Sequence, residues 1–341
     1  MGYTITHLHH VGHVVEDMAQ AITVYERLGF RLPPPRCPAM PLHEGGAPEP
    51  FGTGNTHADF PNSFLELVAW IQDGTTDRLP ADAHLVPLEA PADVLPRLVE
   101  QIRETSANVA ASLNRFEGLH ILMLSSPDID TAATQLSDAD VHHGGVNTVR
   151  RPTPPGALKP VETVRYLEIS GDDPDARSGT VAEGRVGVAA DLDPDIQSAR
   201  HLDHPNGAVD LVEVVLCVAD QEMDAVQERY ETYLGRAARH DGPGRVIDLD
   251  DAALRLVPAS GLDALLPGER PAALPAFVGY TVAVHDLSLT RDLLHRNGLP
   301  LRGTPSGDAF VPSAAALGAA VTFRQARPRA GQRRPNSLVS G

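Results

Sequence analysis

The sequence predicts an α+β protein built from one strand–helix module used several times. Four stretches share a pattern in which an apolar run, predicted to be a strand, ends near an Asp that precedes a predicted helix. These stretches are Leu8–Asp17, Leu119–Asp128, Leu211–Asp220 and Phe277–Asp286. Asp is a favoured N-cap residue, and three of the predicted helices end at a Gly, the residue favoured just beyond a helix C-terminus. A recurring unit of this kind allows a site to be sought by comparing equivalent positions in its copies.

Composition limits the function classes. The chain has 341 residues, of which 42% are hydrophobic and 21% charged, as is typical of a globular protein with a core. The net charge of −17 at pH 7 argues against nucleic acid or an anionic membrane as the main partner, because both require a basic surface. These two partner classes are therefore not expected, and the composition leaves both a monomer and a homodimer open.

Cysteine usage and the N-terminal sequence predict a cytoplasmic protein. Cys37 and Cys217 lie far apart in sequence and do not form a disulfide framework. The N-terminus has no basic segment followed by an apolar stretch, so no signal peptide is expected. No uncharged apolar run approaches the length of a membrane span.

Turn signals and periodicity divide the chain. Residues 4–72 read as strand, helix and three strands, with a Pro/Gly-rich loop from about residue 36 to 50. A further amphipathic helix is predicted from Ala90 to Ser106, and the second module covers about 117–191. The turn sequence His204–Gly207 predicts a boundary between an N-terminal half, 1–205, and a C-terminal half, 206–325. The basic segment 326–341 is predicted to be a disordered tail.

Several motifs resemble those of the vicinal oxygen chelate superfamily, which includes glyoxalase I, extradiol dioxygenases, epimerases and fosfomycin- and bleomycin-type resistance proteins. The motifs are Leu8–Asp17, Tyr25–Phe30 and Phe64–Leu67, and Phe51–Asn55, Arg150–Pro152 and His204–Ala208 are similar to its glyoxalase-like domain group in particular. The resemblance is good over residues 5–72 and 117–208. Over 209–323 it rests on the order of the modules.

The resemblance implies four βαβββ modules that pair into two cupped mixed β-sheets with the helices outside. It also implies a divalent metal in the cup, held by residues from the first and last strands of modules. In this sequence those positions are His10 and Glu66. Imidazole and carboxylate ligands suit Zn, Fe, Mn, Ni or Co, and the sequence does not distinguish among these metals.

Comparison of the copies predicts that the C-terminal half has no metal ligands. Alignment on the Asp residues places Glu213 opposite His10, and alignment of the last strands places Arg255 opposite Glu66. Arg stays protonated and is never a metal ligand, so this pair is predicted to be an ion pair. Two-domain extradiol dioxygenases hold iron in their C-terminal half, so this prediction weighs against that activity.

The second module leaves the third ligand open. His120 is the best candidate, but it lies one residue further from Asp128 than His10 lies from Asp17, and one residue of slip moves a strand side chain to the other face. A bulge or a longer turn at residues 125–127 could return the His120 side chain to the same face as His10. Asp191 and Glu168 are the alternative candidates for a metal ligand from the later strands of this module.

The remaining candidates surround the predicted ligands. His57, Asp59 and Glu66 are the candidate catalytic groups, although His57 and Asp59 could equally belong to an exposed edge. Glu66 lies in an apolar strand, and a buried carboxylate needs a partner, which could be a metal or an Arg. His9 and His13 are predicted to face away from His10, at the surface or at a module interface.

The sequence therefore predicts a metal-dependent enzyme that acts on a small molecule with adjacent oxygens. The metal would stabilise an enolate or oxyanion, and a nearby carboxylate or His would move the proton in a lyase or isomerase reaction. The alternative is a metal-free protein of the same fold that binds or sequesters a small molecule such as an antibiotic. A degenerate scaffold is a third possibility.

Overall fold

Four βαβββ modules make up the chain in the computed structural model, as the repeated pattern predicts. The structure describes residues 3–41, 46–71, 76–88, 93–153, 156–171, 177 and 179–327. The predicted disordered tail lies outside these residues from position 328 onward, and so does the predicted start of the helix at Ala90.

The first module follows the predicted order and adds strands where a loop was expected. Its elements are β1 (His7–Val15), α1 (Met18–Arg27), β2 (Arg36–Pro41), β3 (Pro48–Pro50), β4 (Gly52–Asp59) and β5 (Phe64–Ile71). Asp17 caps α1 by accepting a hydrogen bond from the Gln20 amide, as its position predicts. The prediction of a loop over 36–50 was wrong, because β2 pairs with β3 and with β6 (His84–Pro87) at the margin of the sheet, where Pro is tolerated.

The second module is preceded by a long helix, α2 (Leu95–Arg115), and followed by a short one, α4 (Pro194–Arg200). The elements of the module between them are β7 (Gly118–Ser126), α3 (Ile129–Asp138), β8 (Asn147–Pro152), β9 (Val161–Ile169) and β10 (Arg185–Ala190). Asp128 caps α3 by accepting from the Thr131 amide.

The third and fourth modules repeat the same order. The third consists of β11 (Ala208–Val218), α5 (Met223–Leu234), β12 (Arg239–Asp241), β13 (Gly244–Asp248) and β14 (Ala253–Pro258), with α6 (Leu262–Leu265) after it. The fourth consists of β15 (Ala276–Val284), α7 (Leu287–Arg296), β16 (Arg302–Gly303), β17 (Ala309–Val311) and β18 (Ala320–Gln325).

Strand pairing places the modules in two pairs. The first strands of the first two modules, β1 and β7, are antiparallel neighbours, and so are β11 and β15 of the last two. Each first strand also pairs in parallel with the last strand of its own module: β1 with β5, β7 with β10, β11 with β14 and β15 with β18. The resulting mixed sheets meet at one residue pair, Leu119 and Phe277. We use the name N-terminal cup for the face of the first sheet that carries His10 and Glu66.

One helix departs from the expected arrangement, because α2 packs inside the N-terminal cup and not outside it. Val109 of α2 belongs to an apolar cluster with Val14, Val68, Ile121 and Met123. All four of these strand residues lie on the same face as His10, by strand register and alternation. The predicted helix also ends nine residues too early, because its apolar stripe continues to Arg115.

No helix of the described residues is long and apolar enough to cross a membrane. Cys37 and Cys217 are both buried and free, as the sequence predicts.

The junction of the two halves depends on a glycine. Gly318 has a φ of +87°, and a Cβ at this position would lie 1.9 Å from the carbonyl oxygen of Glu117. We expect Gly318→Ala to lower the free energy of unfolding by about 3 kcal/mol, because a clash with backbone adds to the left-handed strain. Gly307→Ala is the matched control, since Gly307 has a φ of +90° with nothing within 4 Å. It should cost only about 1–2 kcal/mol for the strain alone. Urea denaturation measures both free energies of unfolding. If the two variants lost the same amount, the junction would be able to relax around the added methyl group.

Candidate functional site in the N-terminal cup

A β-bulge decides which side chains enter the cup. In the pairing of β1 with β7, Leu8 lies opposite Leu124 and His10 opposite Met123, so His9 is skipped. This extra residue places the Nδ1 atoms of His9 and His10 only 2.7 Å apart. The prediction that His9 faces away from His10 was wrong, because simple alternation does not hold across a bulge.

His13 lies at an interface, as predicted. Its Nδ1 lies 2.8 Å from the hydroxyl oxygen of Tyr25, and its Nε2 donates to the carbonyl oxygen of Leu317 in the fourth module at 2.5 Å. His13 therefore links β1 and α1 to the C-terminal half.

The alignment of the first and third modules is confirmed by strand register. His10 lies opposite Phe64 and Gly12 opposite Glu66 in one pair of parallel strands. Glu213 lies opposite Ala253 and Val215 opposite Arg255 in the other, with the same offset.

The same register shows what the second module contributes. Ile121 pairs with Arg185 and Met123 with Gly187, so Ile121 occupies the position of His10 and Gly187 that of Glu66. A second bulge, on β7, skips His120, which makes His120 the counterpart of His9. The pseudo-symmetric half of the cup therefore offers an apolar side chain and a glycine where the first half offers an imidazole and a carboxylate.

His120 does not join His10 and Glu66. Its Nε2 donates to the carbonyl oxygen of Phe116 at 2.8 Å, and its side chain lines a cavity beneath α2. Of the alternative second-module residues, Glu168 pairs with Arg185, and Asp191 accepts from the hydroxyl of Ser125 at 2.6 Å.

Glu66 is the centre of the site. Its Oε2 lies 3.7 Å from His10 Nε2, its Oε1 lies 3.5 Å from His57 Nε2, and Asn55 Nδ2 donates to Oε1 at 3.0 Å. The side chains of His10, His57 and Glu66 are only 13%, 16% and 14% exposed. The sequence-predicted pair, His10 and Glu66, is thus brought together, and His57 joins it.

Phe64 separates the two imidazoles. Its ring stacks on His10 at a centroid distance of 4.3 Å and on His57 at 4.5 Å. Because β5 lies between β1 and β4, the Phe64 ring lies between these histidines, and each contacts a different oxygen of Glu66. Phe64, two residues before Glu66, shares its strand face, and this spacing is the signal that could have revealed it.

Burial sets the charge states in this cluster. Burial, followed by the charge of His9, holds the pKa of His10 well below its usual value of 6.5, and burial lowers that of His9 to about 3. Burial alone would raise the pKa of Glu66, but the contact with His57 and the charge of His10 outweigh it, and this pKa falls to about 2. At pH 7 the cluster therefore holds an ionised carboxylate beside a neutral His9 and His10.

Asp59, the remaining candidate, is engaged elsewhere. It is buried, and its Oδ1 accepts a hydrogen bond from Gln197 of α4 at 3.2 Å. This contact ties β4 to α4 and gives Asp59 a packing role beside the cluster.

The donors suit a divalent metal in type but not in number. Imidazole nitrogen and carboxylate oxygen are good ligands, and His57 Nε2 is buried without a hydrogen-bond partner among the described residues. Within the same residues, however, no group of three or more His, Cys, Asp or Glu side chains could hold a metal ion. The trio of His10, Glu66 and His120 is not among such groups, and its role as a metal site stays a prediction.

In the C-terminal half, the predicted ion pair between Glu213 and Arg255 is confirmed, at 3.3 Å. Arg324 approaches the other oxygen of Glu213 at 3.3 Å, Asp241 pairs with Arg255 at 3.0 Å and Asp308 with Arg324 at 2.9 Å. Alternating charges thus surround Glu213 and Arg255, which lie at the positions of His10 and Glu66.

Comparisons with known proteins agree with this architecture. The model of the glyoxalase-like domain family matches residues 8–234, about two thirds of the chain. No curated protein gave a significant sequence match.

Solved structures show the same fold at low sequence identity. A hypothetical protein from Staphylococcus aureus is 10% identical with a TM-score of 0.54, and the match covers 94% of this chain and 99% of that one. A mutant of 4-hydroxymandelate synthase from Streptomyces coelicolor is 13% identical with a TM-score of 0.51, covering 95% and 94%. A xylose isomerase-like TIM barrel/4-hydroxyphenylpyruvate dioxygenase fusion protein is 11% identical with a TM-score of 0.51, covering 96% of this chain and 50% of that one. The chain belongs to the glyoxalase-like domain family and has the vicinal oxygen chelate fold.

Proposed function

We propose that this protein binds a small organic molecule in the N-terminal cup without a resident metal. The observation that carries the proposal is the pair Ile121 and Gly187 at the second-module positions equivalent to His10 and Glu66. A metal shared between modules would lack ligands on that side. Phe64 further prevents His10 and His57 from converging on one ion.

The side chains of the cluster are suited to polar recognition. Glu66, ionised and about one-seventh exposed, can accept hydrogen bonds from a ligand. His10 can accept a hydrogen bond because its low pKa keeps it neutral. Asn55 holds the carboxylate in place through its 3.0 Å hydrogen bond.

A second candidate function is the metal-dependent lyase or isomerase predicted from the sequence. It is favoured by the 3.7 Å approach of His10 Nε2 to Glu66, two donors that suit Zn, Fe, Mn, Ni or Co. Bound there, a divalent metal would supply Lewis-acid stabilisation of an oxyanion. Among the residues that the structure describes, His10 and Glu66 would hold it on the protein side.

Metal content distinguishes the two functions. We expect protein purified without a His-tag or chelator to contain far less than one metal ion per chain, and added Zn²⁺ or Mn²⁺ to leave its melting temperature unchanged, because two ligands bind weakly. The measurement is elemental mass spectrometry combined with a thermal-shift titration. A stoichiometric metal that is lost in both His10→Ala and Glu66→Gln would overturn the metal-free proposal. The exposed His295→Gln variant is the control.

Ligand binding is tested by saturation-transfer NMR with a broad panel of small polar fragments. Fragments that contact the cluster should give signals with the wild-type protein and weaker or absent signals with Glu66→Gln, which keeps the shape of the side chain but removes its charge. A panel in which no fragment depends on Glu66 would contradict the proposed site.

A further inference from the structure

A second recognition feature lies beneath α2, and Glu66 is not among the residues that line it. The helix, β1 and the second module border a half-open cavity of about 460 Å³, a volume within the range of small-molecule sites. Val14, Val109 and Ile121 form an apolar part of its wall, and His120 and Arg185 also line it.

His120, one of the residues of this wall, has an unpaired acceptor. The residue is 1% exposed, and its Nε2 carries the proton because it donates to the carbonyl oxygen of Phe116. Burial lowers the pKa of His120 to about 4, so the ring is neutral at pH 7 and Nδ1 has a free lone pair. This Nδ1 is buried without a hydrogen-bond partner among the described residues. A buried polar atom left unpaired is costly, so the site favours any ligand that satisfies it.

Pseudo-symmetry explains why the acceptor is free. His9, the counterpart of His120, contacts His10 through its Nδ1. The counterpart of His10 is Ile121, which has no polar atom to offer. The bulge therefore turns an imidazole into the cup in both modules, but only the first module supplies its partner.

Arg185 adds a possible donor in the same wall. Its guanidinium pairs with Glu168, while its Nε is buried without a hydrogen-bond partner among the described residues. A ligand oxygen that donates a hydrogen bond to His120 can also accept one from the Arg185 Nε–H. A second ligand oxygen next to that donor can do the same.

We propose that this cavity binds a molecule with an apolar, aromatic-sized body and a hydroxyl or N–H group that donates to His120 Nδ1. The inference deepens the proposed small-molecule function and rests on it. A ligand whose only polar group is a carboxylate or an ether has no proton to donate and would leave the acceptor unpaired.

Two probes that differ only in the donor test this idea: 2-naphthol and 2-methoxynaphthalene. In fluorescence or calorimetric titrations of the full chain, the naphthol should bind the wild-type protein about tenfold more tightly, the effect of one hydrogen bond to an otherwise unpaired group. Equal affinities, or no binding of either probe, would overturn the inference.

Variants at His120 assign the effect to one atom. In His120→Gln the amide can still reach Phe116 but not the Nδ1 position, so the preference for the naphthol should disappear. In His120→Asn an acceptor remains near Nδ1, so the preference should persist. A preference unchanged in His120→Gln would overturn the assignment.

Thr105→Trp tests the location of the bound probe. Thr105 is an exposed residue of α2 at the rim of the cavity, so an indole there should block both probes without disturbing the core. Undiminished binding to this variant would place the probes elsewhere and overturn the inference. Metal content and the Glu66-dependent NMR signals are measured on the wild-type and Glu66→Gln proteins and use none of these three variants, so failure here is distinguishable from failure of the proposed function.

Discussion

Acidification from pH 7 is expected to unfold the protein between pH 6.5 and about 4. Burial lowers the pKa of His13 and His120 to about 4 and that of His9 to about 3, and it holds His10 well below 6.5. In the unfolded chain these groups take up protons near pH 6.5, whereas in the folded protein they stay neutral. The unfolded state then binds more protons, so stability falls as the pH falls.

The free energy of unfolding is expected to depend steeply on pH. Each such His contributes up to about 1.4 kcal/mol per pH unit, so these four contribute up to about 5 kcal/mol per pH unit below 6.5, and His204, whose pKa burial also lowers, adds to them. A domain stability of about 5–15 kcal/mol would be lost within a few pH units. Asp210 and Glu117 oppose this effect, because burial raises the pKa of each, but they are fewer. Glu66 has a pKa of about 2, so its contribution is lost mainly below pH 4.5, its usual value, and does not set this window.

Urea denaturation at several pH values between 7.5 and 4.5 measures this dependence. His120→Gln removes one of the four groups and should reduce the slope by about 1.4 kcal/mol per pH unit. His295→Gln removes an exposed His and should leave the slope unchanged. A stability that stays level from pH 7 to pH 5 would contradict the assignment of these histidines as buried and neutral.

Replacement of Glu183 by Ala is expected to lower the free energy of unfolding by about 3–5 kcal/mol. Glu183 of the second module is fully buried, and both of its oxygens accept from Arg229 of α5 at 2.8 Å. Tyr230 donates to the same carboxylate at 2.5 Å. Removal of the carboxylate leaves a partly buried guanidinium and a fully buried hydroxyl without their partner, which is the costly way to break such a group.

An exposed ion pair provides the comparison. Arg165 contacts Asp130 with two hydrogen bonds of 2.8 and 2.9 Å, but the Asp130 side chain is 68% exposed. We expect Asp130→Asn to cost far less stability than Glu183→Ala, since water replaces the partner of an exposed group. The urea midpoints of the two variants at pH 7 give the difference directly. A Glu183→Ala protein as stable as Asp130→Asn would show that α5 and the second module are held together by apolar packing alone.

Much of the fold could be predicted because its signals are local. Asp17, Asp128 and Asp286 each cap the helix that follows, so the same residues mark the module boundaries and the alignment of the copies. That alignment correctly placed Glu213 opposite His10 and Arg255 opposite Glu66, and it predicted their ion pair.

The candidate site was predictable only in part. His10 and Glu66 were expected to meet because the resemblance to the vicinal oxygen chelate superfamily implies ligands from the first and last strands of a module, and they lie 3.7 Å apart. The predicted orientations of His9 and His120 were wrong because a β-bulge depends on the pairing of two strands. The sequence of one strand alone does not show it. The intervening ring of Phe64, which keeps His57 and His10 apart, likewise depends on the order of three adjacent strands.

The sequence by itself determined the four modules and the start of the helix at the capping Asp in the first, second and fourth of them. These features depend on periodicity and capping, which act over a few neighbouring residues. Only the tertiary structure decided that α2 fills the cup, that bulges turn His9 and His120 into it and that Ile121 and Gly187 replace ligands in the second module. These outcomes depend on pairing between strands about a hundred residues apart, where register and packing override the local pattern.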